Sequence, residues 1–242
     1  MSHVPSMEIQ DNLRMVQEII ADAAQRAGRA ASEVSLVVVT KGHSLDSVKA
    51  VLAAGAQHVG ENYAEQAIPK ILAIREQYGV KWHMVGHVQS RKARLICEHF
   101  NFLHSLDRIK LARRLDMFCE QFGRTLPVLL ECNVSGEASK FGMPAWDEDR
   151  WPLLVPEIQQ MLSHPRLSIC GLMTMAPFTT VPEETRPYFQ RLRNLRDYLA
   201  DELPDTDWRE LSMGMSADYE IAIEEGATIV RVGQAILGPR SN

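Results

Sequence analysis

Ser35-Leu36-Val37-Val38-Val39-Thr40-Lys41-Gly42 is the stretch on which the reading of this chain turns. Three consecutive valines leave it without a polar face, so it fits a strand covered on both sides, as in a parallel sheet, better than a surface strand. Lys41 then stands where the strand leaves the core. An ammonium held against apolar surface loses hydration, which favours the neutral amine, and a neutral amine attacks a carbonyl to give a Schiff base. A lone lysine at a strand end snorkels into water just as readily, so Lys41 gains weight only from its surroundings.

Outward from this stretch, strands alternate with helices. Before it, Ile9, Leu13, Val16, Ile20, Ala24 and Ala27 recur at three- and four-residue intervals, which predicts an amphipathic helix over 7–27 with Gly28 as its stop. After it, Ser44 is placed to cap a helix carrying Leu45, Val48, Val51 and Leu52. A strand over 56–60 leads into Asn62 and Glu65, in capping-box spacing, and a helix over 63–78 with Pro69 as a kink. Further strands are expected at 81–85, 101–106, 126–133, 167–173, 209–213 and 228–232. Helices are expected from near Ser90, from Asp107, and over 147–162, 182–203 and 217–225, with a long loop over 134–142. Eight strands separated by helices, with no Pro/Gly-rich linker between halves, predict the α/β class: a single (β/α)₈ TIM barrel spanning 1–242, with 1–34 as an extra N-terminal helix packed on it. A doubly wound open sheet is the alternative, but no G-x-G-x-x-G follows the first strand.

Composition narrows the class. Its 242 residues with 45% hydrophobic content suffice for a large core, and a net charge of -5 argues against a nucleic-acid or anionic-membrane surface. Arg91-Lys92-Ala93-Arg94 reads as a solvated helix face. Cys97, Cys119, Cys132 and Cys170 have no C-x-x-C pairing and read as buried thiols of a reducing compartment. With no leader-like N-terminus and no membrane-length apolar run, a soluble cytoplasmic protein is expected. No long apolar stripe is left over, so a monomer is expected as well.

In a barrel of this kind the site lies at the C-terminal strand ends. Here those ends carry Lys41, Glu61, Asn62, the run from His83 to His87, Ser105, Asn133, Met173, Thr174, Ser212, Met213, Arg231 and Gly233, which are mostly polar or ionisable. Ser212, Ser216 and the Gly233-Gln234 turn form a phosphate cradle after the last two strands, where barrels often bind phosphate through free N–H groups at a helix start. A lysine amine, an arginine and a phosphate cradle together are the inventory for pyridoxal 5′-phosphate, with Arg231 meeting the pyridine nitrogen. Because arginine stays charged and only donates, it keeps that nitrogen unprotonated and weakens the ring as an electron sink. His83 and His87, on a strand and its loop, are not expected to converge on a metal, and no metal site is expected elsewhere. Met173, Met175, Met213 and Met215 read as barrel lining.

The chain resembles the pyridoxal phosphate homeostasis proteins of the YggS type, whose barrel is that of the alanine-racemase-like, fold-type III cofactor proteins. The resemblance rests on Val38-Val39-Thr40-Lys41, Gly60-Glu61-Asn62-Tyr63, Trp82 to Gly86 with Gln89, His104-Ser105-Leu106-Asp107, Asn133 to Lys140, Gly171-Leu172-Met173, Leu211 to Ser216 with Asp218, and Arg231-Val232-Gly233. It implies that Lys41 carries the cofactor as a Schiff base, that Asn62 and His83 lie near its ring and Met213 beside it, and that apo forms of cofactor-dependent enzymes are partners. This chain departs from the pattern at Gly42-His43, where a second lysine is usual, at Arg91 in place of asparagine, and at Gln234 in place of threonine. Racemisation needs two acid/base groups on opposite faces of the cofactor. In the racemases of this barrel the second group comes from a separate C-terminal domain, for which no room is expected after the eighth strand. A binding protein without substantial turnover is therefore expected, with a racemase-like enzyme as the alternative.

Overall fold

In the computed structural model, which describes residues 6–74 and 78–239, the valine run is strand β1 (Ser35–Val39). Its alternation turns Val37 and Val39 into the barrel, among Val85, Leu129, Cys170, Met173 and Ile229, and sends Val38 outward into the larger apolar layer beneath the helices. Both faces are covered, which is why no polar residue interrupts the run.

The remaining strands are β2 (His58–Glu61), β3 (Lys81–Met84), β4 (Phe102–Leu106), β5 (Leu126–Asn133), β6 (Met143–Pro144), β7 (Leu167–Met173), β8 (Glu210–Met215) and β9 (Ile229–Val232). All neighbours pair in parallel in the order β4-β3-β2-β1-β9-β8-β7-β5, and β4 pairs with β5 to close the ring. The result is the expected eight-stranded TIM barrel; the two-residue β6 is an addition to the edge of β5 that the sequence did not signal.

Helices α1 (Ser6–Arg26), α2 (Leu45–Ala53), α3 (Ala64–Ile74), α4 (Ala93–His99), α5 (Ile109–Gln121), α6 (Val155–Leu162), α7 (Arg186–Glu202), α8 (Tyr219–Glu224) and α9 (Gln234–Leu237) surround it. The extra N-terminal helix α1 buries Ile9, Leu13, Val16 and Ile20. Each such side chain contributes about 1.5–3 kcal/mol, whereas the half-exposed pairs of Arg26 with Glu220 and Glu224 contribute about 0–1 kcal/mol each. The apolar stripe therefore docks α1, and the ion pairs with Asn12 Nδ2 donating to Ile236 O at 3.2 Å set its register.

Three local expectations change. The segments expected as helices over 147–162 and 182–203 open as 3₁₀ turns, Glu148–Leu153 and Pro182–Thr185, because Pro152, Pro156 and Pro187 would fall inside a continuous helix, where a missing N–H breaks the i→i−4 ladder. Ser44 caps α2 by accepting from Ser47 N, but Asn62 and Glu65 form no capping box. Instead α3 begins at Ala64, Glu65 pairs with Lys92 at 2.7 Å, and Asn62 Oδ1 is buried without a partner; residues 75–77 of the expected helix lie outside the described residues. The four cysteines are buried and free. Among the described residues no helix is long and apolar enough to cross a membrane.

Candidate cofactor site

Register brings the two ends of the sheet sequence together. Val37 pairs with Arg231 and Val38 with Val232, so Lys41 and the Gly233 turn leave neighbouring strands on the same rim. Lys41 is half-buried and opens a turn closed by His43 N donating to Thr40 O at 3.1 Å. Gly42 occupies that turn at φ +76, which accounts for glycine after the lysine. Thr40 faces outward: its Oγ1 donates to Glu61 Oε1 at 2.7 Å, and Lys70 Nζ bonds the same oxygen at 2.8 Å and Thr40 O at 3.2 Å. Glu61 thus secures the backbone leading into Lys41 from the helix side and takes no part in the rim.

Arg231 points into the barrel and is buried. Its Nη1 donates to Ser212 Oγ at 2.6 Å and its Nη2 to Thr174 O at 2.8 Å. Among the described residues no carboxylate forms an ion pair with it. Burial pulls its pKa down to about 10, opposed by the charges of Asp218 and Glu131, so it stays cationic at neutral pH. Beneath it runs a line of hydrogen bonds through the barrel. Ser212 Oγ lies 2.9 Å from His104 Nδ1, His104 Nε2 lies 2.9 Å from His83 Nδ1, and His83 Nε2 lies 2.8 Å from His58 Nδ1. Burial holds His83 down at about 3 and His104 well below the usual histidine range, so both are neutral with one N–H each. With Ser212 accepting from Arg231, its own hydrogen goes to His104, and every donor in the line then points the same way.

The sequence grouped Ser212 with the phosphate cradle, but its side chain is enclosed between Arg231 and His104. Outside that enclosure, Ser216 Oγ accepts from Gly233 N at 3.3 Å and Ala235 N at 3.4 Å. Two long bonds converging on one neutral oxygen mark a spot that an anionic oxygen fits better. Gly233 is required there, since a Cβ would sit 2.8 Å from Val39 O. Asp218 Oδ1 accepts from Met215 N at 2.6 Å and holds the loop. Gln234 opens α9 with its side chain exposed.

Other expected residues fall less directly. His83 has both ring nitrogens engaged, and Met213 packs its side chain outward under the helices, leaving only its backbone to the rim. Met173 and Met175 do line the barrel, while Met213 and Met215 do not. His83 and His87 diverge, His83 to the other histidines and His87 towards Asp107. The sequence reading passed over His58, His104 as a core group, Thr174 as an acceptor, and Glu131, which burial and the charge of Asp107 push up to about 7. For the three side chains the signal was inward-facing polar positions on β2, β4 and β5, whereas Thr174 accepts through its backbone carbonyl.

A phosphate-bearing pyridine aldehyde fits these residues: the convergent N–H pair suits the phosphate, the buried guanidinium a ring acceptor, and the orphan Asn62 Oδ1 a donor. Residues 9–241 match the family described as alanine racemase, N-terminal domain. A pyridoxal phosphate homeostasis protein of Pseudomonas aeruginosa is 41% identical over 96% of this chain and 96% of its own length. The chain belongs to the pyridoxal phosphate homeostasis protein family. Its relative of that name in Vibrio cholerae is 38% identical, again over 96% of both chains. Among solved structures, PipY of Synechococcus elongatus with pyridoxal phosphate bound is 34% identical, with a TM-score of 0.78 over 90% of this chain and 100% of that one.

Proposed function

We propose that this homeostasis-family protein binds pyridoxal 5′-phosphate on Lys41 and serves the intracellular supply of that cofactor without substantial catalytic turnover. The observation that carries the reading is Arg231, a buried guanidinium with no carboxylate partner among the described residues, on the strand that runs two residues later into a loop whose N–H groups converge on Ser216. When bound, the cofactor supplies an electrophilic aldehyde and an electron-withdrawing ring. Lys41, the amine at the end of β1, would hold the cofactor through that aldehyde. Ser216 and the N–H groups of Gly233, Gln234 and Ala235 hold the phosphate, with the Met213 backbone beside them. Arg231 donates to the pyridine nitrogen, and Asn62 Oδ1 accepts from the ring side.

Ser212 and His83 act behind Arg231. Ser212 fixes the guanidinium, and His83 holds His104 against Ser212, so the arginine keeps one orientation. A cationic, donor-only partner leaves the ring nitrogen unprotonated and the ring a weaker electron sink, which supports storage over turnover. The relatives' names support a role in homeostasis, and apo enzymes that use the cofactor are the recipients this reading implies.

Titration of the apo-protein with pyridoxal phosphate, followed by its visible absorbance, tests the site. Loss of a charge-assisted contact costs about 1.5–3 kcal/mol, so Ser216→Ala and Arg231→Met are each expected to weaken binding about tenfold or more. Unchanged affinity in the double variant places the cradle elsewhere. The loaded protein incubated with L-alanine should form no D-alanine; turnover near the ordinary range of roughly 1–10³ per second contradicts the storage reading.

A further inference from the structure

We propose that His87, Asp107 and Glu131 form a divalent-cation site at the C-terminal rim of the barrel. His87 follows β3, Asp107 follows β4 and Glu131 lies on β5, and their ligand-competent atoms all lie within 4.8 Å of one another. This inference does not depend on the cofactor reading, and it revises the expectation of no metal by giving His87 partners from other strands.

The geometry points to a ligand and not to mutual pairing. His87 Nδ1 and Asp107 Oδ2 are 3.4 Å apart, too far for a good hydrogen bond but close to the separation of two ligands about 2.1 Å from a tetrahedral ion. Glu131 is only 2% exposed, and its Oε2, like His87 Nδ1, is buried without a hydrogen-bond partner. Two unsatisfied buried acceptors aimed at one place each cost about 1–3 kcal/mol, and a cation shared between them removes both penalties.

The surroundings hold these ligands in place. The second oxygen of Asp107 accepts from Arg108 Nη1, and Arg108 Nη2 is itself fixed on Val88 O at 2.7 Å and Ser90 Oγ at 3.3 Å. Such an outer partner orients the ligating carboxylate. Phe141 stacks on the His87 ring with centroids 3.8 Å apart, fixing the plane in which Nδ1 faces the carboxylates. The charges of Arg108 and Arg231 balance the two carboxylates, so the donor set itself, and not a surplus of negative charge, recruits the ion. One imidazole and two carboxylates suit zinc or manganese, whereas magnesium and calcium need more oxygen ligands. Three protein ligands leave a further coordination position open to a small molecule.

The test uses the full chain, stripped with a chelator and titrated calorimetrically with zinc chloride and, separately, manganese chloride. The expected result is one ion per chain with a Kd of roughly 10 μM or tighter, weakened at least about tenfold in Glu131→Gln and in Asp107→Asn. Glu131→Gln preserves side-chain size, and an unchanged thermal midpoint of the stripped variant certifies its fold. His164→Gln, which removes a separate histidine–aspartate pair with Asp116, should leave the affinity as it was. Absence of binding up to about 1 mM, or equal affinity in Glu131→Gln, overturns the proposal; the orphan atoms then share a proton or a water.

Discussion

Acid should weaken this protein earlier than its surface carboxylates would, through the histidines enclosed in the barrel. His83 is held neutral in the folded state, its pKa lowered to about 3 by burial and by the neighbouring charges of His58 and Lys81; unfolded, it returns to about 6.5. The folded pKa lies below the unfolded one, so its contribution is fully present above about pH 6.5 and is lost as pH falls towards 3. Each pH unit in that window costs about 1.4 kcal/mol per group. Between neutrality and pH 4.5, His83 alone therefore removes about 3 kcal/mol from a total of about 5–15 kcal/mol, and His104, shifted in the same direction, adds to it. Urea unfolding at pH 7.5 and 4.5 measures the loss, and comparison with His83→Gln isolates the residue. Glutamine keeps one donor and one acceptor in the line but does not titrate. The wild type is expected to lose about 3 kcal/mol more than the variant across the interval. Parallel losses in the two proteins refute the reasoning.

Three further outcomes follow from single contacts. Asn62→Ala removes an acceptor that has no partner among the described residues, so apo stability should stay within about 0.5 kcal/mol while pyridoxal phosphate affinity falls roughly tenfold; a large loss of apo stability by calorimetry contradicts this. Gly233→Ala places a Cβ 2.8 Å from Val39 O, a backbone atom that cannot move cheaply, and should cost about 1–3 kcal/mol together with phosphate affinity, read from the urea midpoint and a cofactor titration. Thr40→Val deletes the 2.7 Å bond to the buried Glu61 and should cost about 1–3 kcal/mol, whereas a neutral effect shows that Lys70 alone satisfies that carboxylate.

The fold was legible because its evidence is local. β5 and β7 have the limits expected of their largely apolar segments, and the glycine after Lys41 and the serine before α2 do the turn and cap chemistry their residue types favour. The meeting of Ser216 with the Gly233 turn was legible, because their spacing along two successive strand ends is itself a sequence property. The separate surroundings of Ser212 and Ser216 were not, because Ser212 faces into the barrel while Ser216 lies just past the end of β8, and their partners come from β4, β9 and the turn after it. The histidine line was hidden for the same reason: His58, His83 and His104 are more than twenty residues apart in sequence and meet only when the barrel closes. Asn62 misled because its capping-box spacing is genuine, yet α3 starts past it and leaves its oxygen for something else.

The central claim, that Lys41 carries pyridoxal phosphate, is tested most directly by reducing the loaded protein with borohydride, digesting it and mapping the cofactor-bearing peptide. The account predicts one stable adduct, on the peptide containing Lys41, and its disappearance with the visible absorbance in Lys41→Ala. An adduct on Lys140, which here pairs with Glu137 and donates to Met175 O, or full absorbance retained in Lys41→Ala, contradicts it.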